Sequence, residues 1–101
     1  MIIYQVAAKA YPDKIEEARG KFAELSAASR KLPGVVSFDV AQDVTDPAVF
    51  ISTEVYEDQE AADRQGELPE LAVLMACLPQ LLAEGPHGTI FGASVTGSWP
   101  E

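Results

Sequence analysis

The apolar residues of this chain change spacing along its length, from every second residue to every third or fourth and back again. Spacing of two is typical of a β-strand, whereas spacing of three or four is typical of a helix with one buried face. The segments with these spacings are predicted, in chain order, as strand, helix, strand, strand, helix and strand. That order predicts an α+β fold of the ferredoxin-like βαββαβ type, a four-stranded antiparallel sheet with helices on one face.

Breaker and capping residues place the boundaries of these segments. Pro12 opens the first helix and Pro33-Gly34 ends it, because proline suits a first helical turn and glycine a helix end. The Asp46-Pro47 turn joins the second and third strands as a hairpin. The predicted strands are Ile2–Ala10, Val35–Gln42, Val49–Tyr56 and Thr89–Val95. The predicted helices run from Pro12 to about Lys31, from Asp58 to about Gln65, and from Leu68 to Gly85-Pro86 with a kink or break at Pro79.

Length and charge limit the classes of function. The 101 residues suit one domain, predicted over residues 1–97 with a tail at 98–101. A net charge of −9 with seven Lys and Arg residues argues against nucleic acid and against anionic membrane surfaces. No apolar run reaches the roughly 20 residues of a membrane helix, and no signal peptide is recognisable. One cysteine and one histidine provide no disulfide and no metal site, so we expect a cytoplasmic protein without a metal.

One face of the predicted sheet has no helix to cover it. We expect Ile3, Ala7 and Ile90 on this open face, together with Phe50, Ser52, Glu54 and Tyr56 of the third strand. Such a face is too apolar to remain in water, and a second copy of the chain is the economical cover. The sequence therefore predicts a homodimer, with Glu54 and Tyr56 as candidate interface residues.

Several short motifs resemble those of the antibiotic biosynthesis monooxygenase (ABM) family. They are Pro33-Gly34-Val35, Phe38-Asp39-Val40, Asp46-Pro47, and the run from Glu54-Val55-Tyr56 through the acidic turn to Glu60-Ala61. No single motif is specific, but their order and spacing extend over nearly the whole chain. The resemblance implies a dimeric α+β barrel in which each protomer has a pocket between its sheet and its helices.

The resemblance implies three kinds of activity. Members act as cofactor-independent oxygenases on aromatic phenols, as haem-degrading enzymes or as isomerases, and some have no known activity. Many relatives have histidine at the positions of Gln65 and Glu70, and the haem-degrading branch has tryptophan at Gln65 and a histidine near Met75. This chain has none of these residues, so haem degradation is not expected. Glutamine orients a ligand by hydrogen bonding but does not accept a proton as a base near neutral pH.

The leading hypothesis is therefore a monooxygenase without a bound cofactor, acting on a small planar phenolic or quinone-like molecule. Tyr4, on the helix-facing side of the first strand, and Gln65, at the hinge between helices, are the candidate catalytic residues. Two alternatives remain open, a non-catalytic binding dimer and an isomerase whose acid or base would be Glu54, Glu70 or His87. The candidate pocket residues are Phe22, Phe38, Thr53, Met75 and Phe91.

Overall fold

Four antiparallel strands form one sheet in the spatial order β2-β3-β1-β4 in the computed structural model, which describes residues 1–100. The predicted βαββαβ order is confirmed. Pro12–Lys14 form a short 3₁₀ turn before the first helix. The strands are β1 (Ile2–Ala10), β2 (Val35–Gln42), β3 (Val49–Tyr56) and β4 (Leu82–Gly92), and the helices are α1 (Ile15–Ser29), α2 (Gln59–Gly66) and α3 (Pro69–Leu81). No helix among residues 1–100 is long and apolar enough to cross a membrane.

The acidic turn between β3 and α2 leads into a capped helix as the sequence predicts. Asp58 caps α2, since its Oδ1 accepts a 2.9 Å hydrogen bond from the backbone N–H of Ala61. Gly34 has a φ of +83°, a conformation that L side chains rarely adopt, and a Cβ added there would lie 2.7 Å from the Cβ of Ala61. The Arg64 side chain adds a 2.9 Å hydrogen bond to the carbonyl of Pro33. The turn at Pro33-Gly34, just before β2, therefore contacts α2 and fixes its position against the sheet.

The C-terminal boundaries differ from the prediction. Helix α3 continues through Pro79 and ends at Leu81, and β4 starts directly at Leu82, seven residues before the predicted Thr89. Gly85-Pro86 lies inside β4 and does not close a helix. From Ala83 onward nearly all of β4 is exposed at the sheet edge, so burial imposes no alternation of apolar residues on it. What constrains β4 is the close approach of the β1 backbone, because a Cβ on Gly88 would overlap the carbonyl oxygen of Gln5.

The sequence-based assignment of faces on β3 is wrong. Directly opposed residues of an antiparallel pair project to the same face, and β1 pairs with β3 as Tyr4 opposite Glu54 and Ala8 opposite Phe50. Because Tyr4 faces the helices, Phe50, Ser52, Glu54 and Tyr56 face them too. Phe50 and Tyr56 are buried in the core. The open face instead has Ile3, Gln5 and Ala7 of β1, and Val49, Ile51, Thr53 and Val55 of β3. Ile90 of β4 was also expected on the open face, but it lies opposite Tyr4 and so is on the helix-facing side.

Candidate active site

A cavity of about 800 Å³ lies between the sheet and its helices. Its walls are mostly apolar, and they come from all four strands, with Leu82 and Pro86 from β4, and from all three helices. The mouth includes Asp63, Glu67 and Met75, which are exposed. This volume falls within the range of about 300–1,000 Å³ that is usual for small-molecule sites.

Glu54 is the charged group on the sheet floor of this cavity. It lies between Tyr4 of β1 and Phe38 of β2, its register neighbours on either side. Its Oε2 accepts a 2.8 Å hydrogen bond from the Ser52 hydroxyl, and its Oε1 accepts a 2.7 Å hydrogen bond from the Tyr56 hydroxyl. The strand period of two puts all three β3 side chains on one face, which is why they meet. The two donors fix the carboxylate between two aromatic side chains.

Tyr56 supports this carboxylate from within the core. Its side chain is 1% exposed, and its ring meets that of Tyr4 edge to face, with centroids 5.5 Å apart. Burial raises the pKa of the Tyr56 hydroxyl above its ordinary value of 10.0, and the hydrogen bond to Glu54, the charge of Glu54 and nearby Tyr4 raise it further. The hydroxyl therefore stays protonated near neutral pH and acts as the donor to Glu54.

Gln65 lines the cavity from α2, across from the sheet. It is 7% exposed, and its Nε2 donates a 3.3 Å hydrogen bond to the hydroxyl of Ser29, which is fully buried at the end of α1. One amide N–H is engaged there, which leaves the second N–H to donate to a ligand and the amide oxygen to accept from one. The Asp58 cap and the Gly34–Ala61 contact position the helix that carries it.

A smaller cavity of about 190 Å³ adjoins the first on the side of β2. The rings of Phe22 and Phe50, whose centroids are 5.0 Å apart, line both cavities. At the surface the Arg19 guanidinium donates hydrogen bonds of 3.2 and 2.8 Å to the Gln42 side chain. The aromatic pair therefore forms the wall at this end of the larger cavity.

The structure brings together five of the seven residues that the sequence proposed for catalysis or for the pocket. Tyr4, Phe22, Phe38, Gln65 and Met75 all line the cavity. Thr53 does not, because it pairs with Gln5 on the open face of the sheet. Phe91 pairs with Ile3 on that same face and is 45% exposed.

Glu54 and Ser52 are the functional candidates that sequence reasoning placed on the wrong face. The information that would have corrected this was the strand register. Glu54 lies directly opposite Tyr4, so it faces the helices as Tyr4 does. Ser52 and Tyr56, two positions to either side of Glu54 on β3, share that face. Glu54 and Tyr56 therefore do not lie on the open face where the sequence analysis had put them.

The remaining titratable candidates lie away from the cavity. His87 is exposed on β4 opposite Ala7, and Glu70 is half-buried in the first turn of α3 without lining the cavity. Within residues 1–100, no group of three or more His, Cys, Asp and Glu side chains is arranged to hold a metal ion.

Comparison with known proteins identifies relatives of this architecture. The profile of the antibiotic biosynthesis monooxygenase family matches residues 1–72, which include β1, β2, β3 and α2 and so the polar floor of the cavity. A Nitrosomonas europaea protein that carries this family's name superposes with a TM-score of 0.87 at 26% identity, over 92% of this chain and 98% of its own.

Two further solved structures share the fold at lower identity. A Deinococcus radiodurans protein that carries the same family name has a TM-score of 0.88 at 20% identity, over 97% of each chain. A Mycobacterium tuberculosis protein has a TM-score of 0.87 at 18% identity, over 96% of this chain and 98% of its own. Among curated proteins, none matches this sequence.

Proposed function

Because this chain belongs to the antibiotic biosynthesis monooxygenase family, we propose that it is a monooxygenase that needs no bound cofactor and oxidises a small planar phenolic or quinone-like molecule. The observation that carries this proposal is the position of Glu54, a carboxylate held by two hydroxyl donors on the floor of an apolar cavity of about 800 Å³. Family membership alone does not fix a reaction, because one fold hosts many activities.

The proposed chemistry uses the substrate as the electron donor to O₂. A flat ring system would lie between the apolar walls, with a hydroxyl or an acidic C–H group directed at Glu54. Glu54 would accept that hydrogen bond and take the proton as general base, leaving an electron-rich carbanion or phenolate. Tyr4 and Gln65, on opposite walls of the cavity, would fix the orientation of the ring.

For an anthrone the atoms and electrons balance without another reagent. Both C–H bonds of the ring methylene break, and the carbon loses four electrons as it becomes a carbonyl. One atom of O₂ forms the new C=O bond, and the other leaves as water with the two protons. The part of the protein is to hold the anion away from water and in one orientation, so that O₂ reacts at a single carbon.

Oxygen uptake with anthrone and dihydroxynaphthalene substrates tests this proposal. We expect uptake above that of heat-treated protein, with one O₂ consumed per anthrone, and a fall of about tenfold or more in Glu54→Gln, since general base catalysis commonly contributes at least that factor. The matched control is Glu17→Gln, the same chemical change at an exposed residue of α1. Uptake that is equal in wild type and Glu54→Gln would exclude the assigned role. No uptake with any substrate of the panel would reject the monooxygenase.

Glu54 also favours a second candidate function, a cofactor-free isomerase. A carboxylate in an apolar cavity can move a proton between two carbons of one substrate as readily as it can start an oxidation. An isomerase would exchange substrate hydrogen for deuterium from solvent without O₂, whereas the monooxygenase would give product only aerobically. A non-catalytic binding protein would shift the unfolding temperature on ligand addition and give neither result.

We propose in addition that two copies pair through the open face of the sheet. That face has Ile3 and Ala7 on β1 beside Ile51 and Val55 on β3, and no helix of the protomer covers it. An apolar surface of this kind is a usual site of protein association. The mass in solution, by light scattering after size exclusion, would be twice that of the 10.8 kDa chain.

A further inference from the structure

The polar groups of the cavity are mainly hydrogen-bond acceptors. The Glu54 carboxylate has only acceptors, and the Ser52 hydroxyl uses its one proton on Glu54, so that only its lone pairs are left. Gln65 donates one of its two amide N–H groups to Ser29, which leaves the other N–H and the amide oxygen for a ligand. The free donors are the second N–H of Gln65 and the Tyr4 hydroxyl, which makes no hydrogen bond within residues 1–100. The floor of the cavity at Glu54 and Ser52 therefore favours a ligand group that donates.

The charges around the cavity have one sign. Glu54 on the floor and Asp63 and Glu67 at the mouth line it, and no Lys, Arg or His side chain of residues 1–100 does so. The three arginines, none of which lines the cavity, are turned to other partners. Arg19 donates to the Gln42 side chain. Arg64 binds the carbonyl of Pro33, and Arg30 binds the carbonyl of Phe38 and the carboxylate of Asp39 on the outer side.

An anionic ligand would meet this arrangement without a compensating cation. A carboxylate directed at the floor would face Glu54 across a medium of low dielectric, where like charges repel more strongly than in water. No cation lines the walls to offset the cost of removing the anion from water. A hydroxyl or ammonium group would instead donate to the oxygens of Glu54, whose position the Ser52 and Tyr56 hydroxyls already fix.

We propose that the cavity selects aromatic ligands by charge: it accepts neutral or cationic molecules that place a donor on Glu54, and it excludes aromatic carboxylates and phosphates. This inference rests on the proposed function and narrows its substrate class to phenols, quinols and anthrones without an acid group. Glu54 is then the residue that sets specificity as well as the proton acceptor.

Three naphthalene probes with the same ring and different head groups test the inference. They are 2-naphthol, 2-naphthylmethylammonium and 2-naphthoate, which at pH 7 are neutral, cationic and anionic. Isothermal titration calorimetry under nitrogen gives a Kd for each. We expect 2-naphthol and the ammonium probe to bind about tenfold or more tightly than 2-naphthoate, a difference of about 1.4 kcal/mol or more.

Substitution of Glu54 tests whether its carboxylate causes the preference for neutral and cationic probes. In Glu54→Gln we expect the preference over 2-naphthoate to fall to about threefold or less, because the repelling charge is gone while the side-chain shape remains. In Glu17→Gln, which loses the same charge on the surface, the preference should stay at the wild-type value. Measurements in about 0.15 M and 0.5 M NaCl separate the overall net charge of −9 from the cavity, since salt screens exposed charges far more than enclosed ones.

The outcomes are decisive without any turnover. Equal or tighter binding of 2-naphthoate to the wild type would overturn the inference, and so would failure of all three probes to bind. A preference that is unchanged in folded Glu54→Gln would show that the Glu54 carboxylate does not cause the selection. Should Glu54→Gln not fold, the wild-type ranking at both salt concentrations is still a complete test. Charge selection without oxygen uptake would reject the monooxygenase while supporting this inference, so the two failures are distinguishable.

Discussion

The hydroxyl of Tyr56 lies 2.7 Å from Oε1 of Glu54, two residues earlier on the same face of β3. One partner is in the core and the other lines the cavity. The hydrogen bond therefore links the buried core to the group that we assign to ligand chemistry. A charged acceptor makes such a bond stronger than one between neutral groups. Changes to Tyr56 should accordingly affect both stability and the cavity.

Replacement of Tyr56 by phenylalanine keeps the ring and removes this donor. We expect the free energy of unfolding to fall by about 1–3 kcal/mol, because Glu54 loses one of its two partners in a half-buried position. Urea denaturation followed by circular dichroism measures the change. Tyr11→Phe is the control, since Tyr11 is 42% exposed and its hydroxyl makes no hydrogen bond within residues 1–100; it should change stability by less than about 0.5 kcal/mol. Equal effects of the two substitutions would contradict this account of Tyr56.

Alkaline pH should destabilise the fold through the same tyrosine. Burial and Glu54 raise the pKa of Tyr56 in the folded state, so its contribution is fully present below the unfolded-state value near 10 and is lost as pH rises beyond it. Above pH 10 the unfolded chain releases a proton that the folded chain keeps. The stability of wild type relative to Tyr56→Phe should then fall by about 1.4 kcal/mol per pH unit.

Two measurements check this pH dependence. Urea unfolding of wild type and Tyr56→Phe between pH 8 and pH 11 should give curves that are parallel below pH 10 and converge above it. In phenolate absorbance titrations, native wild type and native Tyr56→Phe should release the same number of phenolic protons before unfolding, because Tyr56 titrates only when the protein unfolds. Three tyrosines that titrate together in folded protein would show that the Tyr56 hydroxyl is not protected.

A methyl group at Gly34 should disturb α2 without touching the cavity directly. Gly34→Ala forces a non-glycine residue to a φ of +83° and brings its Cβ to 2.7 Å from that of Ala61. We expect a loss of about 1–3 kcal/mol in the free energy of unfolding. Gly20→Ala in α1 is the matched control, because a Cβ there meets no atom within 4 Å, and alanine should stabilise a helix interior by up to about 1 kcal/mol. A Gly34→Ala protein as stable as wild type would show that this contact does not fix α2.

The sequence predicted those elements whose boundaries depend on local chemistry. Strands β2 and β3 match residue for residue, because Pro33-Gly34 and Asp46-Pro47 confine them and alternating apolar residues fill them. The Asp58 cap forms as expected for the same reason. Local pattern was not enough at the C-terminus. There β4 is defined by the close backbone approach at Gly88 and by its exposed position at the sheet edge. Neither feature produces a periodic pattern of apolar residues in the sequence.

The cavity shows the same division between local and long-range information. Tyr4, Phe38 and Gln65 could be assigned to it, since each follows from the periodicity of its own element and from the order of elements. The face of β3 could not be assigned in that way. Both sets of its residues contain apolar side chains, so the choice depends on which β1 residue lies opposite which β3 residue. That single register decides whether Glu54 faces a ligand or a partner subunit.

A charged residue at the centre of the open face should separate the proposed dimer. Ile51 lies on that face opposite Ala7, at the middle of the sheet, where a lysine side chain would have to be buried against the second copy. We expect Ile51→Lys to elute as a monomer of about the chain mass of 10.8 kDa, at concentrations where wild type is dimeric. Val44→Lys is the control, because Val44 is fully exposed in the hairpin turn and should leave the dimer intact. Light scattering after size exclusion measures both masses. A monomeric wild type would reject pairing altogether, whereas a dimeric, folded Ile51→Lys would place the interface on another surface.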